Sequence, residues 1–249
     1  MPALELKTPE QVAAMRRAGL VVAAALSQVQ QAALPGVTGL QLDQIAEQVI
    51  RDHGAKPNFL GYNGYPASIC LSPDDVIVHG IPNSQPLREG QIISVDCGAV
   101  LDGWHGDAAI TFGIGEIDQA AEQLIEVTRQ ALWAGIRAMS PGNHVRDIGQ
   151  AVETCVRQSA GHFGVIEDYT GHGIGRAMHM SPDVPNYATR TRGPKLRVGA
   201  VLAIEPMVVE QSIESLLEAD GWTVRTADSG RAAHWEHTVA LTEQGFSVL

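Results

Sequence analysis

Asp96 and Asp107 stand eleven residues apart, on either side of a turn, in Ile92-Ile-Ser-Val-Asp-Cys-Gly-Ala-Val-Leu-Asp-Gly-Trp-His-Gly-Asp-Ala-Ala-Ile-Thr111. The flanks are apolar and β-branched, and Asp102-Gly103 between them is a strong signal for a two-residue hairpin loop. With those two residues as the loop, Asp96 pairs with Ala109 and Gly98 with Asp107. Both carboxylates then lie on one face of the ribbon as diagonal neighbours, within joint reach of a bound ion. An apolar ribbon does not hold two adjacent anions without a counter-charge, because desolvation and repulsion both oppose it. A metal cation is the economical way to meet that need.

Three other places in the chain offer ligands of the same kind. His172 lies in the glycine-rich Tyr169-Thr-Gly-His-Gly-Ile-Gly175, Glu205 interrupts the run Val201-Leu-Ala-Ile-Glu-Pro-Met-Val-Val209, and Glu236 sits in the strand-like His234-Trp-Glu-His-Thr-Val-Ala-Leu241. Buried ionised carboxylates are rare unless paired or bound to metal. Four carboxylates and one imidazole suit two hard or borderline divalent ions, such as Mn, Fe or Co, better than a thiolate zinc site. Four negative charges also balance two divalent cations. Each piece has a plainer reading. Acids near turns often cap them, which is the role assigned to Asp102, a lone acid in a strand can face solvent, and Gly-His-Gly can be an ordinary loop. Three separate apolar runs that each carry an acid argue jointly for a site.

The order of elements suggests a repeat. Thr8-Pro-Glu-Gln11 reads as an N-cap, a proline at the first helical position and a capping-box glutamine, opening a helix to about Ala33 that Pro35-Gly36 ends. Thr38-Gly-Leu-Gln41 repeats the signal before Leu42, Ile45, Ala46 and Val49, apolar at helical spacing. Strand-like runs follow from about Ser68 to Thr111. A second helical stretch runs from Asp118 to Met139, broken by Pro141-Gly142, and Val145, Ile148, Gly149 and Val152 then match the set that begins at Leu42. More strand-like runs close the chain. Helix, breaker, helix and strands thus occur twice, and a coincidence of breakers is the rival reading.

Composition bounds the class. The 249 residues are 45% hydrophobic and 18% charged, enough to bury one large core as a single domain. A net charge of −11 argues against a direct nucleic-acid partner, and Arg16-Arg17 and Arg190-Thr-Arg192 read as solvated surface. Three cysteines, Cys70, Cys97 and Cys155, without metal spacing fit a reducing compartment. Met1-Pro-Ala-Leu-Glu-Leu-Lys lacks a signal-peptide pattern, and the apolar stretch from Gly19 to Leu26 is shorter than the roughly 20 residues that span a bilayer. A cytoplasmic enzyme without a membrane partner is expected.

The combination of Gly61-Tyr-Asn-Gly-Tyr-Pro66, Val78-His-Gly-Ile-Pro82, the paired-aspartate hairpin, Gly171-His-Gly-Ile-Gly175, Ile204-Glu-Pro-Met207, Asp220-Gly-Trp-Thr-Val224 and Glu236-His-Thr238 resembles the type I methionine aminopeptidases of the short bacterial kind. The resemblance covers nearly the whole chain. It implies an α+β pita-bread fold, in which two pseudo-symmetric halves carry helices outside a curved antiparallel sheet with metals between them. Here that gives one catalytic domain over 1–249, with halves of about 8–115 and 116–249. It implies Asp96, Asp107, His172, Glu205 and Glu236 as ligands of two divalent ions (Co, Mn or Fe, with Zn as an alternative), Asp107 and Glu236 bridging both.

The implied reaction is removal of an N-terminal methionine before a small second residue. Metal-activated water attacks the first peptide carbonyl, and two ions about 3.5–4 Å apart are suited to generating such a nucleophile. Glu205 is implied as proton acceptor, and His79 and His179 as the histidines near the scissile bond. Cys70, Tyr62, Tyr65 and Trp222 match pocket positions, joined by Phe59 and Met178, and a methionine pocket should be apolar and soft. The chain departs from the best-known pattern at Phe59, Asn63 and Met178, where cysteine, histidine and phenylalanine are common. That bears on pocket shape and not on the reaction.

Among the remaining histidines, His105 shares a face with Asp107 two residues away, and His237, like Cys97 beside Asp96, points to the other face of its strand. His53, His144, His162 and His234 are expected on the surface or in packing. The expected partners are methionine-led peptides and nascent chains, with transient contact to the ribosome, and the expected state is a monomer. The rivals are an Xaa-Pro aminopeptidase or prolidase, which usually carries a large extra N-terminal domain, a non-catalytic pita-bread binding protein, which typically loses ligands, and a metal-free amidine hydrolase of the same fold.

Overall fold

The structure is a computed structural model that describes residues 4–249, so the first three residues of the N-terminal segment lie outside the described residues. Thr8 caps the first helix by accepting the Gln11 amide at 3.4 Å, while Gln11 Oε1 accepts the Thr8 amide at 2.9 Å. That reciprocal pair opens α1 (Pro9–Ala32), with proline in the first turn where its missing N–H costs nothing. Thr38 and Gln41 repeat the box for α2 (Gly39–Asp52). In the second half, the Asp118 carboxylate accepts the Ala121 amide to start α3 (Gln119–Ala138), and Asp147 accepts the His144 amide at α4 (Val145–Gln158).

α1 is long and apolar enough to cross a membrane by length and composition. Its buried residues Met15, Ala18, Val22, Ala25 and Val29 recur at helical spacing, and it packs on α2 and the sheet as a core helix does.

The strands of the first half are β1 (Lys56–Pro57), β2 (Ile69–Pro73), β3 (Val76–Val78), β4 (Ile92–Leu101) and β5 (Trp104–Gly113). Those of the second are β6 (Gly164–Val165), β7 (Gly171–Gly173), β8 (Met180–Val184), β9 (Val201–Ile204), β10 (Met207–Val209), β11 (Ser215–Leu217), β12 (Val224–Thr226), β13 (Ala232–His234), β14 (Glu236–Thr242) and β15 (Gly245–Val248). The main sheet runs β1-β4-β5-β14-β9-β7-β8, with β2 also on β4 and β15 on β14. Two three-stranded sheets, β13-β10-β6 and β11-β12-β3, complete the described residues. Each registered strand pair is antiparallel.

The β4–β5 hairpin has the expected register. Leu101 pairs with Trp104 across Asp102 and Gly103, both with positive φ (53° and 75°), which gives the turn a twist that matches the strands. Asp96 faces Ala109 and Gly98 faces Asp107. Alternation then sorts the side chains. Ile93, Val95, Cys97 and Ala99 of β4, with Ala108, Ile110 and Phe112 of β5, pack under α1 and α2. Leu202, Ile204, Val239 and Leu241 pack with Leu132, Ile136 and Ile148 of α3 and α4. Helices therefore cover one face of the sheet, and the opposite face is free to build a site.

Candidate metal centre

Register alone brings the five expected ligands together. β5 is flanked by β4 and β14, and Ala109 at its middle faces Asp96 on one side and Glu236 on the other. The pair His237–Ile204, taken one residue further, sets Glu205 opposite Glu236. A second row, two residues away and on the same face, reads Gly98, Asp107, Thr238, Ala203, His172. Asp107 and Thr238 are fastened there, since the Thr238 hydroxyl donates to the Asp107 carbonyl at 2.8 Å and accepts the Asp107 amide at 3.1 Å. Apart from Thr238, the positions in these rows that carry no ligand are the small Ala109, Ala203 and Gly98, which leaves room above the sheet. Glu205 is not inside a strand as the apolar run suggests. β9 ends at Ile204 and β10 begins at Met207, because Pro206 has no N–H to continue a ladder.

The electrostatics of this floor call for positive charge. Burial, followed by the neighbouring carboxylates, pushes Asp107 and Glu236 well above the usual carboxylate range. Burial also raises Asp96 and Glu205 to about 7. Asp96 Oδ1, Asp107 Oδ1 and Glu236 Oε1 are buried with no hydrogen-bond partner. Asp107, His172 and Glu236 each offer a ligand atom, and the three atoms lie within 4.8 Å of one another. His172 Nδ1 donates to the Gly173 carbonyl at 2.9 Å, so its proton is on that nitrogen and Nε2 keeps a free lone pair, 3.5 Å from Glu205 Oε1. Unpartnered carboxyl oxygens around a ligand-ready imidazole nitrogen are the donor set a hard or borderline divalent cation takes.

Above the floor is a cavity of about 130 Å³. All thirteen residues named from the sequence line it: the five just described together with Phe59, Tyr62, Tyr65, Cys70, His79, Met178, His179 and Trp222. Phe59, Tyr65, Cys70 and Met178 form a separate apolar cluster with Ala67, Ile81 and Trp222. Tyr65 stacks edge-on against Trp222 at 5.1 Å between ring centres, and its hydroxyl reaches the Gly80 carbonyl at 2.9 Å. Phe59 occupies space that only glycine at position 98 leaves open, since a Cβ there would come within 3.1 Å of its ring and 2.7 Å of Asn58. The mouth is polar. Tyr62 Oη and His179 Nδ1 are 2.8 Å apart, the His179 ring meets that of His172 at 4.4 Å, and His79 stands on a left-handed backbone with its ring edge-on to Tyr169. Burial drives His79 down to about 4 and lowers His179, so both imidazoles are neutral at pH 7.

Cys97 and His237 point away from the floor as expected, Cys97 into the core under the helices and His237 against Trp133. His105 does not reach the carboxylates. Its Nδ1 meets Asn58 Oδ1 at 2.7 Å and so braces the segment that carries Phe59. His234, expected on the surface or in packing, is buried beside the floor. It is only 2% exposed, and its Nε2 lies 3.7 Å from Glu205 Oε2. The signal was its spacing of two from Glu236, which puts both on one face even though Trp235 separates β13 from β14.

The model of metallopeptidase family M24 matches residues 13–243. A methionine aminopeptidase 1 of Mycobacterium tuberculosis is 55% identical over 241 residues, covering 95% of this chain and 91% of that protein. The crystal structure of methionine aminopeptidase from Rickettsia prowazekii superposes with a TM-score of 0.96 at 36% identity, covering 99% of both chains. A prolidase from Pyrococcus furiosus shares the fold at a TM-score of 0.78 and 19% identity, but this chain covers only 64% of it. The architecture is thus the pita-bread one, and the chain belongs to metallopeptidase family M24, on its methionine-aminopeptidase branch.

Proposed function

We propose that this chain hydrolyses the first peptide bond of polypeptides that begin with an unblocked methionine. The observation that carries the reading is a four-carboxylate, one-histidine floor beneath an apolar cavity with room for one side chain. Such a cavity suits an exopeptidase, because an endopeptidase needs a through-groove. Asp96, Asp107, His172, Glu205 and Glu236 would hold two divalent cations (Mn, Fe or Co, with Zn as an alternative), whose four positive charges offset the four carboxylates. When bound, the cations supply Lewis acidity and lower the pKa of water. Glu205 accepts the proton of the attacking water at Oε1, the oxygen turned toward His172. Neutral His79 and His179 can each present an N–H to the carbonyl oxygen or to the substrate amide, and the Tyr62 hydroxyl fixes the His179 ring. Phe59, Tyr65, Cys70, Met178 and Trp222 enclose the methionine side chain with aromatic faces and soft sulfur.

The same reading covers the whole protein. Residues 1–249 would act as one catalytic domain with pseudo-repeat halves of about 8–115 and 116–249. It would be monomeric and cytoplasmic, maturing nascent chains with small second residues during transient contact with the ribosome, and touching neither membrane nor nucleic acid directly. The test is release of the N-terminal residue from Met-Ala-Ser and from Ala-Pro-Ala by metal-free protein and after adding Mn, Fe or Co. Metal-dependent release of methionine alone supports the proposal. Cleavage before proline would move the chain to the prolidase-like relatives, and silence with measurable metal binding would make it a binding protein.

A further inference from the structure

Glu205 is bracketed by two imidazoles. His172 Nε2 faces Oε1 at 3.5 Å, and His234 Nε2 faces Oε2 at 3.7 Å. His172 is a ligand in the reading above, whereas nothing so far gives His234 work to do. Yet the backbone that carries its ring is held from both sides. The Thr111 hydroxyl donates to the His234 carbonyl at 2.7 Å, the His234 amide meets Thr111 Oγ1 at 2.9 Å and Ser94 Oγ at 3.2 Å, and the two hydroxyls share a hydrogen bond of 2.8 Å. Ser94 and Thr111 are a cross-strand pair of β4 and β5, two residues from Asp96 and Ala109 on the ligand face. The hairpin that carries two ligands therefore also fixes the backbone from which the His234 ring projects. Its Nε2 is buried and has no hydrogen-bond partner. A buried polar nitrogen aimed at a carboxylate, in a protein that satisfies most of its interior polar groups, asks for a reason.

We propose that His234 is a positioning residue for Glu205. It carries its proton on Nε2 and donates it to Glu205 Oε2, which leaves Oε1, beside His172, for the cation and for proton transfer. The present separation exceeds a hydrogen bond by about 0.5–1 Å, a gap that small side-chain rotations close. Outer partners of this kind fix the orientation of a ligating carboxylate and raise metal affinity. The inference rests on Glu205 being a ligand.

The test uses amide side chains of different reach. A glutamine at 234 carries its NH₂ where Nε2 stands, and an asparagine carries it only as far as Nδ1. Metal-free protein, His234→Gln, His234→Asn and Glu205→Gln would be titrated with MnCl₂ by calorimetry, with melting temperatures as the check on folding and kcat and KM measured on Met-Ala-Ser. His234→Asn is expected to weaken Mn binding about tenfold or more and to lower kcat with little change in KM. His234→Gln should stay within about threefold of the parent in both. Parent-like Mn affinity in His234→Asn would overturn the proposal, as would equal loss in both variants, since that makes the ring itself the property that matters. If Glu205→Gln keeps full Mn affinity, the metal reading falls. If it alone loses affinity, only the role of His234 falls.

Discussion

The floor and the rim of the cavity are built on opposite principles. On the floor, Asp96, Asp107, His172 and Glu236 belong to strands of one sheet and Glu205 follows a strand by one residue, so a shared register positions them all. On the rim, His79 stands in a left-handed conformation outside any strand, and Tyr62 opens a short turn in which Asn63 is also left-handed. There each side chain has its own anchor: Tyr62 on His179, Tyr65 on the Gly80 carbonyl, and Trp222 on a loop tied by Asp220. A collective scaffold makes substitutions of its side chains act on chemistry without moving neighbours. Private anchors make rim substitutions graded and separable.

The sharpest way to break that contrast is on the floor. Asp96→Asn and Glu205→Gln should each lower turnover of Met-Ala-Ser by about three orders of magnitude or more, beyond the 10–100-fold typical of losing an outer partner. Far-ultraviolet circular dichroism should stay unchanged. A Glu205→Gln variant with full metal content and normal turnover would contradict the role assigned to this residue. On the rim, His79→Ala should cost about a hundredfold in kcat, the scale of one lost transition-state donor, while metal analysis finds the site still filled. Loss of metal in that variant would mean that the rim helps to hold the floor.

A third prediction concerns charge. Asp96 and Glu205 have folded-state pKa values near 7, and Asp107 and Glu236 lie well above the carboxylate range, all because burial disfavours the anions. An acid whose pKa is raised on folding stabilises below its unfolded value, near 4, and loses that contribution as pH climbs through the folded value. The metal-free protein should therefore melt several degrees lower at pH 8 than at pH 5, and added Mn should restore more stability at pH 8 than at pH 5. A flat profile without metal would show that the four carboxylates are not confined together.

The contrast also explains what the sequence made legible. Period-two alternation and the Asp102-Gly103 loop are local signals, so the hairpin register and the facing of Asp96, Asp107, Cys97 and His237 could be worked out residue by residue, as could the Thr8 and Thr38 caps. The place of His234 beside Glu205 was not legible, because Trp235 interrupts the strand and the Ser94–Thr111 pair that holds its backbone lies more than a hundred residues upstream. The two small sheets and the left-handed turn at His79 have no periodicity to betray them. The rim residues were reachable by resemblance alone, because an anchor such as Tyr65 on Gly80 depends on where two loops meet and leaves no pattern along the chain.

The gentlest test of separability is Asp220→Ala. The carboxylate accepts the Trp222 and Thr223 amides at 2.8 and 2.9 Å and the Thr223 hydroxyl at 2.6 Å, so it sets the loop from which Trp222 reaches the cavity. Asp220 is exposed, and water takes over much of each lost bond. The net loss should be about 1 kcal/mol in total instead of that amount for each bond. Trp222 is meanwhile still held by its stack on Tyr65 and by the apolar cluster around Phe59 and Met178. The expected outcome is a KM for Met-Ala-Ser raised about fivefold, the equivalent of that energy, with kcat and Mn affinity unchanged. Asp220→Asn keeps one acceptor oxygen for the amides and should fall between. If kcat and Mn affinity drop together with KM, the loop is transmitting strain to the strands beneath it, and the independence of rim from floor fails at the position where it should be easiest to keep.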